Sequence, residues 1–340
     1  MAEWPSGTSR LLSQQSSRRA SRFCSLFCLH RHRKSVKSCL SMPNIRNKLT
    51  IGIELEGVVQ TPEAPTIATA RGFQRHFDSS VVNDDGQESP AGRGFEYVTQ
   101  ILPVDVSMSN VGENLVFTNP GDLHRSTIDA LCQCIGHVNS SCGVHVHLGR
   151  PASQSDVNVS KWEPERVRTF LAIGLLLESR IFDAVPNSRS DSRACARIGA
   201  RYSRNDLVQF YPTGAVRARK YDNEKRYCWL NLIETRRVGT DSTPGRGSSQ
   251  ALGTIEVRAL GSTKNVDYIM AWVELWLNIA AYVAYLPSSL AIMQCVHADN
   301  RIPRLLAKLN KFAVDTKEVV VSRAQTAWSP CPPIVQSSQS

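Results

Sequence analysis

The segment 49–57, LTIGIELEG, alternates strictly: Leu49, Ile51, Ile53 and Leu55 interleave with Thr50, Gly52, Glu54 and Glu56. A side-chain period of two is that of a β-strand, so one face is wholly apolar and the other carries two carboxylates. Like charges side by side on a strand repel, which stability does not reward but a shared divalent cation does. The alternative is a half-solvated strand with a wet acidic face.

Two more segments repeat the design. In CGVHVHLG, His145 and His147 share one face opposite Val144, Val146 and Leu148. Two imidazoles at i, i+2 on a strand can converge on one ion, or one can act while the other orients a neighbour. In GTIEVRAL, Glu256 and Arg258 oppose Ile255, Val257 and Ala259. A carboxylate beside a guanidinium holds a metal and an anionic group together, as phosphoryl chemistry requires; otherwise it is an ion pair of small energetic value. If the three strands are neighbours, one surface bears Glu54, Glu56, His145, Glu256 and Arg258. Such a carboxylate-rich set favours magnesium or manganese over structural zinc.

Around these strands the periodicity predicts a helix over 66–77, a strand over 95–102, a helix over 126–138 and a helix over 162–185 with Pro164 near its start. An aromatic strand follows at 225–234 (KRYCWLNLIE), then a Gly/Ser/Thr-rich loop over 238–253. The apolar run 266–286 has membrane length but contains Asp267, Glu274 and Asn278, which makes it a buried helix. A weaker helix is expected near 303–312. Irregular interleaving of strands and helices predicts an α+β fold around a mostly antiparallel sheet.

The chain has 340 residues and a formal charge of +10, but most of that charge is at the front. Residues 1–41 hold Arg10, Arg18, Arg19, Arg22, Arg31, Arg33, Lys34 and Lys37 against Glu3 alone. This basic stretch reads as a disordered arm, a transit peptide, or sequence upstream of a start at Met42. Residues 43–325 then form one catalytic domain, and 326–340 a disordered Ser/Pro/Gln tail. Ten cysteines without framework spacing or a secretory signal point to free thiols and a cytoplasmic location, with no membrane association. Cys132, Cys134, His137, Cys142 and His145 cluster as if for zinc, but Cys132 and Cys134 fall two apart on a helical pattern and diverge. GRGSS lacks the end of a phosphate loop, and neither GxSxG nor GxGxxG occurs.

The order of segments, GIELEG, NDDG with FEYVTQIL, CGVHVHLG, PNSRSDSRAC, RYCWLN and TIEVRALGST before a Trp-containing helix, resembles the amidoligase family of carboxylate-amine ligases over roughly residues 49–290. That family is similar in fold to glutamine synthetase and glutamate-cysteine ligase. The resemblance implies a curved, half-barrel antiparallel sheet flanked by helices, with ATP and Mg2+ (or Mn2+) on its concave face and amide formation through an acyl phosphate. It implies metal ligands Glu54, Glu56, Glu96, His145 and Glu256. Arg258 and Arg226 would neutralise phosphoryl charge, with Arg189 and Arg193 as phosphate or carboxylate binders, His147 supporting the nucleotide side, and Asp85 facing the amine. The family's serine after the DG turn is Gln87 here, and its proline in the second motif is Gln100.

The expected partners are a small-molecule or peptide carboxylate and an amine, with oligomerisation left open. Two other readings compete: a metal-dependent hydrolase using the same ligands, and a non-catalytic nucleic-acid binder using the basic leader. The first would be indifferent to nucleotide, and the second would lose affinity on removal of residues 1–41.

Overall fold

Strand β1 (Ile45–Gly57) runs through the middle of a seven-stranded sheet, and its alternation organises the rest. The computed structural model describes residues 45–78, 80–82, 94–108, 110–111, 114–115, 121–153, 156–160, 162–186, 189, 195–201, 227–232, 253–286, 289, 292, 296–297 and 300–313. All of these belong to the unit Asn44–Ser340. The basic leader, the terminal tail, the Gly/Ser/Thr-rich loop, Asp85, Gln87, Arg193 and Arg226 lie outside the described residues.

Beside β1, in sequence order, the sheet contains β2 (Gln74–Asp78), β3 (Gly94–Val98), β4 (Leu102–Met108), β5 (Gly143–Gly149), β6 (Leu230–Asn231) and β7 (Ile255–Gly261). Across the sheet the order is β6-β7-β5-β1-β3-β2, with β4 also paired to β1, and every one of these pairings is antiparallel. β3 and β4 share one edge of β1, pairing with its C-terminal and N-terminal parts. Between them, Thr99 donates its N–H to Ile53 O at 2.9 Å, and its Oγ1 accepts from Ile53 N at 3.0 Å, so the ladder carries past the break. The chain is therefore a mixed α/β protein on a mainly antiparallel sheet, and among the described residues the sheet does not close into a barrel.

The apolar face packs beneath helices. Ile51, Ile53 and Leu55 of β1, Val144, Val146 and Leu148 of β5, and Ile255 and Val257 of β7 are all buried. Five helices are α1 (Ala64–Arg71), α2 (Gly121–Cys134), α3 (Pro164–Asp183), the single turn α4 (Ile198–Arg201) and α5 (Val266–Tyr285); residues 301–313 are also helical. α3 and α5 pack on one another, α5 against β5 and α3 against β7. Pro164 sits in the first turn of α3, where a missing N–H costs nothing. The Asn265 side chain caps α5 by accepting from Tyr268 N at 3.1 Å. Although α5 is long and apolar enough to cross a membrane, 72% of its most apolar window is buried inside the protein, the place of a core helix.

Two expected elements are corrected. The predicted helix over 66–77 ends at Arg71, because Gly72 takes a left-handed conformation (φ 67) that caps the helix. Residues beyond it extend instead, and β2 pairs with β3 in register His76 to Glu96. The predicted helix over 126–138 starts earlier, at Gly121, and stops at Cys134; Ile135–His137 then forms a short ribbon with Val59–Gln60.

The helical layer closes on Trp276 of α5. Its ring lies 5.6 Å from both Trp229 and Trp272 and 6.0 Å from Phe170, and none of the four is exposed. Trp276→Ala empties the junction of α3, α5 and the approach to β6. It is expected to cost about 3–5 kcal/mol of unfolding free energy, read as the shift in urea midpoint at unchanged slope. A loss below about 1 kcal/mol would mean this junction is not where the helical layer gains its stability.

Candidate active site

The antiparallel register places the polar side chains of five strands on one surface. Paired residues share a face, so Glu56 stands beside Glu96, Glu54 beside His145, and Glu256 between His147 and Asn231. Glu54, Glu56, His145, Glu256 and Arg258, expected on one surface if the strands were neighbours, do meet there.

Glu54 is the centre of the arrangement. Its Oε2 lies 3.0 Å from His145 Nδ1, and its Oε1 lies 2.9 Å from His147 Nε2, the latter without the alignment of a hydrogen bond. His145 Nδ1 is also 3.4 Å from Glu256 Oε1, and its Nε2 is 3.4 Å from Glu56 Oε1, again out of hydrogen-bond alignment. Thr254 Oγ1, 3.1 Å from His147 Nδ1, holds the ring so that Nε2 faces Glu54. Glu256 accepts from Asn231 Nδ2 and from Arg258 Nη1, each at 2.6 Å. Glu56 Oε2 accepts the Gly143 N–H at 2.5 Å, and Ser262 Oγ donates to Glu56 O at 2.6 Å. A Cβ at Gly143 would crowd the site, standing 2.9 Å from Arg189 Nη2, 3.0 Å from His145 Nε2 and 3.2 Å from Glu56 Oε2.

Two groups of ligand atoms result, each within 4.8 Å of one another: Glu54, His147 and Glu256, and beside them Glu56, Asp78 and Glu96. The first contains His147, whereas His145 bridges Glu54, Glu256 and Glu56. Among the described residues neither group includes a cysteine or His137. The zinc-like cluster does not assemble: Cys134 Sγ contacts Ala130 O at 3.4 Å, Cys142 Sγ contacts Asn139 Oδ1 at 3.4 Å, and burial pushes the Cys132 thiol up to about 12. A thiol so hard to ionise is a poor ligand.

Charge is unevenly compensated across the surface. Burial opposes ionisation of Glu54, but His147 and His145 overcome it and hold this carboxyl well below the usual range. Glu256 is likewise held low against burial, chiefly by Arg258 and then His147. Burial favours a neutral His147, yet the charge on Glu54 lifts it to about 9. On the other side, burial raises Glu56 in spite of His145 and Arg189. Glu96 is pushed up to about 8 by burial and by repulsion from Glu54, Asp78 and Glu56. One group of acids is matched by imidazoles and a guanidinium, and the other is short of positive charge.

The donor set fits a hard divalent cation. The second group offers carboxylate oxygens only, and the first adds one imidazole whose Nε2 is buried without a hydrogen bond. A cation on either group must displace protons, from His147 in the first and Glu96 in the second.

Of the other expected residues, Arg189 is buried at the edge of this surface, with its Nη atoms on main-chain carbonyls. Sequence reasoning missed Asp78, because residues 74–77 just before it were read as the end of a helix and not as the strand that carries it to this surface. It also missed Thr254, Asn231 and Ser262. For Asn231 a signal existed: an amide flanked by Leu230 and Leu232 in an otherwise apolar run.

Glu96 makes the crowding measurable. A carboxyl raised in the folded state stabilises it fully below the unfolded value, and that contribution is lost as pH rises through about 8. Glu96→Gln removes the loss. In chelator, its melting temperature relative to wild type is expected to climb between about pH 5 and about pH 8.5. A pH-independent difference would show that the second acidic group is not crowded.

No curated protein compared with the chain matches it. Residues 121–280 match the family model described as "Putative amidoligase enzyme". The matched span carries His145, His147, Arg189, Glu256 and Arg258 on β5, β7 and the segment between them, while Glu54, Glu56 and Glu96 lie before it. That match covers a little under half of the chain and falls on the strands that carry His147 and Glu256, two of the six residues of the ligand groups, so this part of the chain is similar to a family of ligase-type enzymes.

Proposed function

We infer that this protein is an ATP- and magnesium-dependent carboxylate-amine ligase that forms an amide through an acyl phosphate. The observation that carries this reading is the pair of convergent ligand groups on one sheet face, with Arg258 held against Glu256 beside them. Phosphoryl transfer asks the protein for positioned positive charge more than for covalent chemistry.

Magnesium, when bound, supplies positive charge against the oxygens of the nucleotide phosphates. Glu54, His147 and Glu256 would hold one ion, and Glu56, Asp78 and Glu96 a second. Asn231 and Thr254 fix the orientation of Glu256 and His147, so those ligand atoms need not reorganise on binding. Arg258 stays charged: burial opposes this, but Glu256, Glu56 and Glu54 hold the proton on. Its guanidinium is the fixed donor fork for a phosphoryl oxygen. In the reaction an oxygen of the substrate carboxylate bonds to the γ-phosphorus as the bond to ADP breaks. The amine nitrogen then bonds to the acyl carbon, phosphate leaves with the acyl C–O bond electrons, and the nitrogen loses a proton. On the family resemblance, Arg226 would neutralise phosphoryl charge, Arg193 would bind phosphate or carboxylate, and Asp85 would face the amine.

The test is phosphate release from ATP and magnesium in pools of amino acids, peptides and polyamines, with amide product followed by mass spectrometry. Release is expected to depend on both a carboxylate and an amine. Glu256→Gln is expected to lower it by about 10²–10³-fold or more. Absence of nucleotide binding in calorimetry would overturn the ligase reading, and nucleotide-independent amide cleavage would replace it with a hydrolase on the same ligands.

A further inference from the structure

Arg189 follows the end of α3, its N–H bonded to Pro186 O at 2.9 Å, and it is one of the largest fully buried side chains, 2% exposed. A buried guanidinium ordinarily finds a carboxylate. Among the described residues Arg189 makes no such ion pair, and its two terminal nitrogens serve the backbone instead. Nη1 donates to Cys142 O at 3.4 Å and Nη2 to Arg258 O at 2.9 Å.

Those two carbonyls flank an irregularity in the sheet. The pairing of β7 with β5 runs Glu256 to His147 and Val257 to Val146, then resumes at Leu260 to Val144. Arg258 and Ala259 thus stand opposite the single residue His145, which is a β-bulge. A bulge re-aims side chains and leaves a backbone group without its ladder partner. Here Arg258 N still donates to Trp229 O at 2.7 Å on the β6 side, while Arg258 O turns to Arg189. Cys142 O, the second acceptor, also receives Ser262 N at 3.0 Å, so the same guanidinium touches the far end of the bulged strand's pairing. The next residue after Cys142 is Gly143, whose N–H holds Glu56.

We propose that Arg189 is a positioning residue whose guanidinium pins the β5–β7 bulge, so setting where Arg258 and Glu56 present their side chains, and that it does not itself bind substrate phosphate or carboxylate. The side chain is enclosed, its two terminal nitrogens donate to carbonyls, which repel anions, and the buried Cys195 thiol lies against it. One donor, Nε, is buried without a hydrogen-bond partner among the described residues. The bulge suits the residue type: two carbonyls on different segments are reached from two nitrogens held at a fixed spacing by one planar fork, whereas an ammonium would have to serve both from a single nitrogen on a flexible stem.

The experiment compares the full chain with Arg189→Lys, which keeps the charge but not the fork, and with Arg189→Gln. Hydrogen exchange is read over peptides covering 142–149 and 254–262, and ATP kinetics are measured in parallel. Loss of the clamp is expected to speed exchange in both peptides by about tenfold or more. It is expected to lower kcat by about 10–100-fold with KM for ATP within about threefold. Unchanged exchange in a folded variant overturns the clamp. A KM for ATP raised by about tenfold or more at preserved kcat makes Arg189 an anion ligand instead. The kinetic arm rests on the ligase reading and the exchange arm does not, so a wild-type protein without ATP turnover refutes that reading and still leaves the clamp decided. If neither variant folds, guanidinium NMR of the wild type decides: hindered Cζ–Nη rotation at Arg189 is expected, and free rotation overturns the proposal.

Discussion

Everything at this site depends on Glu54 lying between two imidazoles. A carboxylate taken out of water costs of order several kcal/mol unless charge and hydrogen bonds replace its solvation. His145 and His147, at 3.0 Å and 2.9 Å on its two oxygens, provide that replacement. The register of β1 against β5 sets the contact, and the apolar undersides of the same strands set the register, because a slip of one residue would send every buried valine and isoleucine to the polar side. Packing on one face therefore enforces electrostatics on the other.

The surface is asymmetric in a way that matters for chemistry. Around Glu54 and Glu256 the imidazoles and Arg258 keep the acids ionised, whereas Glu56, Asp78 and Glu96 face one another with less compensation. A protein evolved only for stability gains little from the second group. A bound cation would offset its cost, and in that sense ligand binding energy would be stored in the fold. The bulge in β7 belongs to the same economy of placement. Where the ladder breaks, a buried guanidinium takes over a carbonyl that the neighbouring strand no longer reaches.

Much of this was legible in the residues. Period-two alternation around Glu54 and Glu56, His145 and His147, and Glu256 and Arg258 identified three strands and the faces they bury, since burial selects side chains at the spacing of the pleat. The long Trp-containing helix was equally plain, because charged residues within an apolar run argue for a core helix rather than a membrane span. Less visible was β2. Its five residues lie at the sheet edge and are mostly exposed, so no apolar pattern marks them, and the Gly72 cap that frees them from α1 acts through a backbone angle.

The sequence by itself determined which side chains share a face, the apolar or polar character of each face, and the residue types available to hold a cation, because these follow from local periodicity. Only the tertiary structure decided which faces meet. Strand order and register brought Asp78 to Glu56 and Glu96, set His147 against Glu54 and Glu256, and turned Arg189 onto the carbonyls of the bulge. Such contacts join residues tens to hundreds of positions apart, and pairing across that distance is fixed by the packing of whole strands and helices, which no local pattern encodes.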